Sequence, residues 1–174
     1  YDELRTRCFD PANDLPPEEQ IHAYGEVITA NRSKEDVERA HFLRGIYRVD
    51  FQGDFERAIE DFTKAIALTP NPRYFQNRGE ALSARGQSDA ALADFARVIE
   101  LDPDSASPHL CAGTIYLHDG KPGQAIECFD RAIAISPDYA AAYYNRSLAH
   151  LDLGSREAAA RDLDKSIEVD PAGD

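Results

Sequence analysis

The chain has 174 residues, of which 43% are hydrophobic and 29% charged, and its formal net charge is −13. This length suffices for a sizeable core, and one elongated domain is expected rather than two. The negative charge argues against nucleic acid as a partner, because phosphate binding needs a basic surface. No stretch approaches the roughly 18 apolar residues of a membrane span, so no membrane insertion is predicted.

The N-terminal part divides into an irregular segment and a helix. Residues 1–15 show no hydrophobic periodicity and are predicted to be irregular and extended. Prolines and acids at 16–19 are typical of a helix start, and apolar residues at helical spacing follow them, namely Ile21, Tyr24, Val27 and Ile28. The pattern predicts one capping helix within 16–36, in the place of the second helix of a preceding unit.

A phased pattern fills the rest of the chain. Pro103, Pro137 and Pro171 stand 34 residues apart, and small and aromatic residues precede each of them at fixed offsets. Counting back from the middle proline, these positions are Ala132, Phe129, Ala125, Gly120, Tyr116 and Gly113. A fixed period of this length indicates repeats that bury their apolar faces by stacking on one another.

This pattern resembles the tetratricopeptide repeat, a helix–turn–helix unit of about 34 residues. The resemblance implies an all-α fold, a right-handed α-solenoid with four units in one continuous domain over 37–174. The units are expected at about 37–70, 71–103, 104–137 and 138–171. Dipeptides such as Arg44-Gly45 and Arg78-Gly79 make the chain similar to bacterial members with Arg-Gly repeats.

The earliest unit departs from the period by one residue. Gly45 and Gly53 are eight residues apart, whereas the equivalent positions of the other units are seven apart. The extra residue lies within 46–52. We therefore predict a longer first helix or a looser turn in this unit.

Comparison of the units with one another predicts a set of ion pairs. The positions before the first glycine site are Arg44, Arg78, Ala112 and Arg146. The positions before the aromatic site are Asp61, Asp94, Cys128 and Asp162. Arginine and aspartate are therefore present together in three units and absent together from the third. This predicts a bidentate Arg–Asp pair between the two helices of each of those units; the alternative is independent surface charges.

The resemblance also implies a concave groove, lined by the first helices of the units, in which a peptide or helix binds. It assigns equivalent inner positions to Leu43, Gln76, Leu110 and Tyr144, and adds Asn77, Thr114, Leu117, Asn145, Leu148 and Leu151. The asparagines would either bond a peptide backbone or satisfy neighbouring backbone groups. The C-terminal half is apolar, which favours an apolar guest. Basic residues that would clamp a chaperone's C-terminal tail are missing, so such tails are disfavoured.

No catalytic constellation, cofactor motif or metal-ligand motif is found, so the chain is not predicted to be an enzyme. An enzyme or an enzyme's regulatory arm remains the weakest functional class. Cys111 and Cys128 lie in the two helices of one unit and are either disulfide-bonded or buried free thiols, with free thiols favoured.

The predicted function is a scaffold or adaptor that binds a protein or peptide partner in the groove, where the guest is an apolar or a basic peptide. The alternative is a self-associating module, for example a homodimer, that docks through its uncapped C-terminal repeat, at Ala158, Leu163 and Ile167. The chain starts at Tyr1 and contains no methionine, so we expect a trimmed product. Its resemblance to exported bacterial repeat proteins favours an exported or periplasmic location over a cytoplasmic one.

Overall fold

The computed structural model describes residues 1–10 and 15–170, and these ranges hold ten α-helices and no strand. The helices are α1 (Asp2–Phe9), α2 (Pro17–Ala30), α3 (Lys34–Tyr47), α4 (Phe55–Leu68), α5 (Pro72–Ala84), α6 (Ser88–Leu101), α7 (Ser107–His118), α8 (Pro122–Ile135), α9 (Ala140–Asp152) and α10 (Arg156–Val169). They form two compact bodies, an N-terminal body of residues 1–94 and a C-terminal body of residues 95–174, with the division inside α6. No helix in the described ranges is long and apolar enough to cross a membrane.

In the N-terminal body, consecutive helices from α1 to α5 pack against one another in chain order. Its core is aromatic: the ring of Phe42 lies 6.0 Å from that of Phe62 and 4.6 Å from that of Tyr74. Gly45 is required here by space, because a Cβ atom on it would lie 2.6 Å from the Phe62 ring. The glycine and aromatic positions of the repeat are therefore a single packing contact between the first and second helix.

The C-terminal body repeats this arrangement. Helices α7 and α8, α8 and α9, and α9 and α10 pack together, around a core that includes Ala125, Phe129 and Ala149. A Cβ atom on Gly113 would lie 2.5 Å from the Phe129 ring, as at Gly45 in the first unit. The close approach of the two helices again depends on the missing side chain.

The prediction that residues 1–15 are irregular is wrong for Asp2–Phe9, which form α1. The segment shows no periodicity because one short helix places few apolar side chains on its buried face. Cys8 is buried with Tyr24 and Ala40, so packing on α2 and α3 stabilises the helix. Gln20 Nε2 donates to the carbonyl oxygen of Cys8 at 3.1 Å, near the end of α1. The remainder of that prediction at 11–14 lies outside the described residues.

The capping helix predicted within 16–36 is shorter than that range. Helix α2 ends at Ala30, and Asn31 follows in the left-handed conformation with φ of 44°. Ser33 then caps α3, its side chain accepting a hydrogen bond from the backbone nitrogen of Asp36 at 3.3 Å. Residues 34–36 therefore belong to the next helix.

The extra residue of the earliest unit is accommodated in a π-helical turn over Arg48–Gln52, directly after α3. A π turn holds one more residue than an α-helical turn, and Gly53 closes it with φ of 61°. Of the two outcomes predicted for 46–52, the structure has the longer first helix, because the π-helical turn continues α3 to Gln52. The rest of the unit keeps the spacing of the other copies.

Candidate functional site

The structure brings together the two members of each proposed Arg–Asp pair. Arg44 donates from Nε and Nη2 to Asp61 at 2.9 and 2.7 Å. Arg78 makes the same two bonds to Asp94 at 2.7 and 2.7 Å, and Arg146 to Asp162 at 2.8 and 2.6 Å. All three carboxylates are buried. The geometry is therefore bidentate, and the description as independent surface charges does not apply.

Asp61 has two further partners that the sequence comparison missed. His41 Nδ1 donates to it at 2.8 Å and Arg48 Nη1 at 2.6 Å. Burial by itself raises the pKa of the Asp61 carboxyl. The hydrogen bonds from His41 and Arg44 and the charges of Arg44 and Arg48 outweigh it, so the pKa lies below its usual value. His41 stands one helical turn before Arg44, and that spacing was the available signal.

Two of the arginines also reach the second helix of the unit before their own. Arg78 Nη1 donates to Thr63 Oγ1 on α4 at 3.0 Å, and Arg146 Nη1 donates to Asp130 Oδ1 on α8 at 2.5 Å. Each of these guanidinium groups thus joins three helices. Sequence reasoning missed this contact because it links adjacent repeats rather than the two helices of one repeat.

The third unit, which lacks the pair, has a cavity of about 360 Å³ lined by His109, Glu127, Cys128, Asp130 and Arg131. Burial, with the charge of Glu127, raises the pKa of the Cys128 thiol. Burial and the charge of Arg131 lower the pKa of His109. Both shifts favour the neutral forms, so this thiol and imidazole are not an activated nucleophile pair.

Cys8, Cys111 and Cys128 are thiols that form no disulfide. Of the two states considered for Cys111 and Cys128, the structure therefore has the thiol state. Within the described part of the chain, no group of three or more histidine, cysteine or acidic side chains is placed to hold a metal ion.

Seven of the proposed groove residues lie on α7 and α9, two neighbouring helices of the C-terminal body. We call them the α7–α9 face: Leu110, Thr114, Leu117, Tyr144, Asn145, Leu148 and Leu151. Leu110 and Leu117 are half-buried and pack against the core that contains Phe129. Tyr144 and Leu151 are 50% and 48% exposed. The face therefore presents a tyrosine and a leucine to solvent beside aliphatic side chains that support them.

Polar groups on the α7–α9 face differ in their bonding. Thr114 Oγ1 donates to the carbonyl oxygen of Leu110 at 3.0 Å, within α7. The side chain of Asn145, half-buried beside Tyr144, makes no hydrogen bond within the described residues. Asn145 therefore keeps donor and acceptor groups that no other described residue occupies.

The α7–α9 face is also almost without charge. Helix α7 contains no acidic residue, lysine or arginine, and α9 contains only Arg146 and Asp152. Arg146 is bound to two aspartates. In contrast, the 14 residues of α10 include seven charged ones. In a chain with a net charge of −13, the charge is thus placed away from this face.

The groove residues proposed in the N-terminal body are less available for binding than those of the α7–α9 face. Leu43 is half-buried and packs against the cores around Phe42 and Tyr24. Asn77 Nδ2 donates to the carbonyl oxygen of Arg73 at 2.8 Å, which is the local alternative for that asparagine. Gln76 Nε2 donates to Glu80 Oε1 at 2.7 Å. All three are half-buried, whereas Tyr144 and Leu151 of the α7–α9 face are exposed.

The assignment of Leu43 and Gln76 to equivalent positions is wrong by one residue. Leu43 directly precedes the arginine of its ion pair, whereas Gln76 stands two residues before Arg78. Leu43 is therefore equivalent to Asn77. One residue turns a side chain by about 100° around a helix, so Leu43 and Gln76 point in different directions from their helices.

Family models match most of the chain. A TPR repeat model matches residues 113–154, and two tetratricopeptide repeat models match residues 47–106 and 140–172. The matched ranges include the π-helical turn, the three Arg–Asp pairs apart from Arg44, and the α7–α9 face apart from Leu110.

Solved structures with the same fold cover the chain almost completely. The crystal structure of MamA is 25% identical, with 98% of this chain and 94% of that chain covered and a TM-score of 0.81. YrrB, a TPR protein with an unusual peptide-binding site, is 23% identical over 90% and 79% of the two chains, with a TM-score of 0.73. A tetratricopeptide repeat protein from Parabacteroides merdae is 17% identical over 99% and 67%, with a TM-score of 0.86. The predicted fold class, an all-α solenoid of this repeat, is confirmed.

Proposed function

We propose that this chain, which belongs to the tetratricopeptide repeat family of protein-interaction modules, is a scaffold that binds an uncharged, apolar peptide segment or helix on the α7–α9 face. The observation that carries the proposal is the exposure of Tyr144 and Leu151 on α9, which is, like its neighbour α7, almost free of charge. A surface that avoids charge in so acidic a chain suits a guest that is itself apolar.

The energetics of binding favour Tyr144 as the centre of the interface. Tyrosine contributes a large apolar area at low conformational-entropy cost, and such side chains dominate many interfaces. Leu110, Leu117 and Leu148 are half-buried, so they would form the floor on which a guest packs. Asn145, which has donor and acceptor groups to spare, would bond the guest's backbone.

A direct test uses 12-residue peptides selected from a displayed library on the wild-type chain. We expect Tyr144→Ala to raise the Kd of the selected peptides by about tenfold or more, as truncation of a central aromatic does. The matched control is Ile135→Ala on α8, which removes a partly exposed apolar side chain outside the face and should leave the Kd within about twofold. Equal effects of the two substitutions would rule out the α7–α9 face as the site.

Salt dependence separates an apolar guest from a basic one. Binding to an uncharged face should change little between low and high salt, because little charge is brought together. A basic peptide attracted by the net charge of −13 should instead bind far more weakly at high salt. A steep loss of affinity with salt for every selected peptide would contradict the proposal.

Self-association through α10 is the second candidate. Ile167 is 64% exposed, whereas the isoleucines at the equivalent positions, Ile66, Ile99 and Ile133, are half-buried. Ala158 and Leu163 on the same helix are half-buried. A second copy that covers this surface would make the mass measured by sedimentation rise with concentration and return to the monomer value in Ile167→Glu. A constant monomer mass would remove this candidate.

A further inference from the structure

In two of the repeats, the third guanidinium nitrogen of the paired arginine, Nη1, donates a hydrogen bond to a side chain of the preceding repeat. Thr63 and Asp130, the partners of Arg78 and Arg146, are each the ninth residue of a 14-residue second helix. In both cases the acceptor is a side-chain oxygen. The position is thus the place where the chain supplies an acceptor to the arginine of the following unit.

The earliest copy lacks this acceptor. The ninth residue of the 14-residue helix α2 is Gly25. Its place is the equivalent one, because a Cβ atom on Gly25 would lie 3.4 Å from Arg44 Nη1. Arg44 Nε and Nη2 bind Asp61, and Nη1 has no hydrogen-bond partner within the described residues. A guanidinium nitrogen that is paired in two other copies is thus left open here.

A cavity lies where the missing side chain would be. It has a volume of about 640 Å³ and is lined by Ile21, His22, Gly25, Glu26, Thr29, Ala30 and Arg44, which we call the Gly25 cavity. This size is within the range of small-molecule and side-chain binding sites, roughly 300–1,000 Å³. The Arg44 side chain is only 15% exposed, so a bond made to it is partly shielded from water.

The other charged groups around the Gly25 cavity leave the guanidinium of Arg44 available. The carboxylate of Glu26 forms an ion pair with Arg7, whose Nη1 lies 3.6 Å away, and it lies 3.9 Å from His22 Nδ1. The hydroxyl of Thr29 donates to the Gly25 carbonyl at 2.8 Å. The remaining lining at Ile21 and Ala30 is apolar.

We propose that the Gly25 cavity binds a carboxylate of a partner molecule, which takes the place that Asp130 occupies beside Arg146. The carboxylate oxygen accepts from Arg44 Nη1, and an aliphatic part of the same group lies against Ile21 and Ala30. The carboxylate belongs either to an acidic side chain or to a C-terminal residue. This site is on α2 and α3 and does not depend on the function proposed for the α7–α9 face.

The experiment follows the amide resonances of the chain by NMR during titration with three small probes. N-acetyl-leucine carries a terminal carboxylate, the α-amide of N-acetyl-glutamic acid carries a side-chain carboxylate, and N-acetyl-leucinamide is neutral. We expect shifts over residues 21–30 and at Arg44 with at least one carboxylate, at a Kd on the order of 1 mM, and none with the neutral probe. The carboxylate that binds more tightly identifies the source.

Substitution at Gly25 provides the decisive variant. Gly25→Asp supplies the acceptor from the chain itself, as Asp130 does, and should raise the Kd of the bound probe at least tenfold. The matched control Gly25→Asn has the same size without the charge and should weaken binding less. Ala30→Trp, at an exposed helix end, is a second variant that should block the cavity if Gly25→Asp folds poorly.

Three results would overturn the proposal. They are equal shifts with the neutral probe, unchanged binding in Gly25→Asp or Ala30→Trp, and no shift with either carboxylate at up to 50-fold the expected Kd, on the order of 50 mM. Loss of binding in Gly25→Asp together with retained binding in the wild type would support it, whatever the selected peptides show at the α7–α9 face.

Discussion

Arg146 donates to Asp130 through Nη1 at 2.5 Å while its other two donors hold Asp162, so one guanidinium joins α8, α9 and α10. Asp162 is buried, whereas the Asp130 side chain is 54% exposed. The two carboxylates bind the same arginine, but Asp162 has lost most of its hydration on folding and Asp130 has kept about half of its exposure to water. Unequal energetic contributions follow from this difference.

Replacing the two aspartates separately should reveal that inequality. Asp162→Ala leaves Arg146 without its buried partner and should lower the free energy of unfolding by about 3 kcal/mol. Asp130→Ala removes a partly exposed ion pair and should cost about 1 kcal/mol or less. Urea unfolding measures both, and Asp164→Ala at an exposed position of α10 is the control. Equal losses for Asp130 and Asp162 would contradict the assignment.

The acid stability of the chain should depend on Asp61. Its pKa in the folded chain lies below the ordinary value of 3.8, so the stabilisation is complete above that value and is lost as the pH falls towards the folded pKa. Asp61→Asn should be less stable at neutral pH and should lose less stability than wild type on acidification below about pH 4. Urea unfolding at several pH values measures this.

An exposed aspartate controls for general charge effects in that experiment. Asp50→Asn, in the π-helical turn, removes one carboxylate that is exposed to solvent. Its stability should follow the wild-type pH dependence. A wild-type profile in Asp61→Asn would show that this carboxyl does not titrate with unfolding.

The ion pair should be transferable to the third unit. Ala112→Arg or Cys128→Asp alone places a charge at a buried or half-buried position without its bidentate partner, and each should be destabilising. The double variant restores the bidentate pair, so the two effects should couple favourably by about 1–3 kcal/mol in a double-mutant cycle. Thermal unfolding of the four chains measures the coupling. Strict additivity would mean that the helices of this unit do not meet as those of the other units do.

Helical glycines should respond to alanine according to the space beside them. Gly113→Ala forces a Cβ atom to within 2.5 Å of the Phe129 ring and should destabilise the chain by about 1–3 kcal/mol. Gly123→Ala is the control, because no atom lies within 4 Å of the added carbon. It should be neutral or stabilising by up to about 1 kcal/mol through helix propensity. The unfolding midpoint of Gly113→Ala should therefore fall, whereas that of Gly123→Ala should stay unchanged or rise.

Much of the local architecture could be predicted because the repeats compare the chain with itself. The extra residue within 46–52 was located by counting, and the structure places the π-helical turn there. The joint loss of arginine and aspartate at Ala112 and Cys128 pointed to pairs that the structure brings within bonding distance elsewhere. The same comparison shifted Leu43 by one residue because one position was counted without reference to its arginine.

The sequence by itself determined the helix–turn–helix period, its phase and the position of its irregularity, because these depend on spacing along the chain. Only the tertiary structure decided that Asp2–Phe9 is helical, since so short a helix is stable through its contacts with α2 and α3. It also decided what the third nitrogen of each arginine meets. That contact depends on the distance between helices of different units, and at Gly25 it leaves a cavity in place of a side chain.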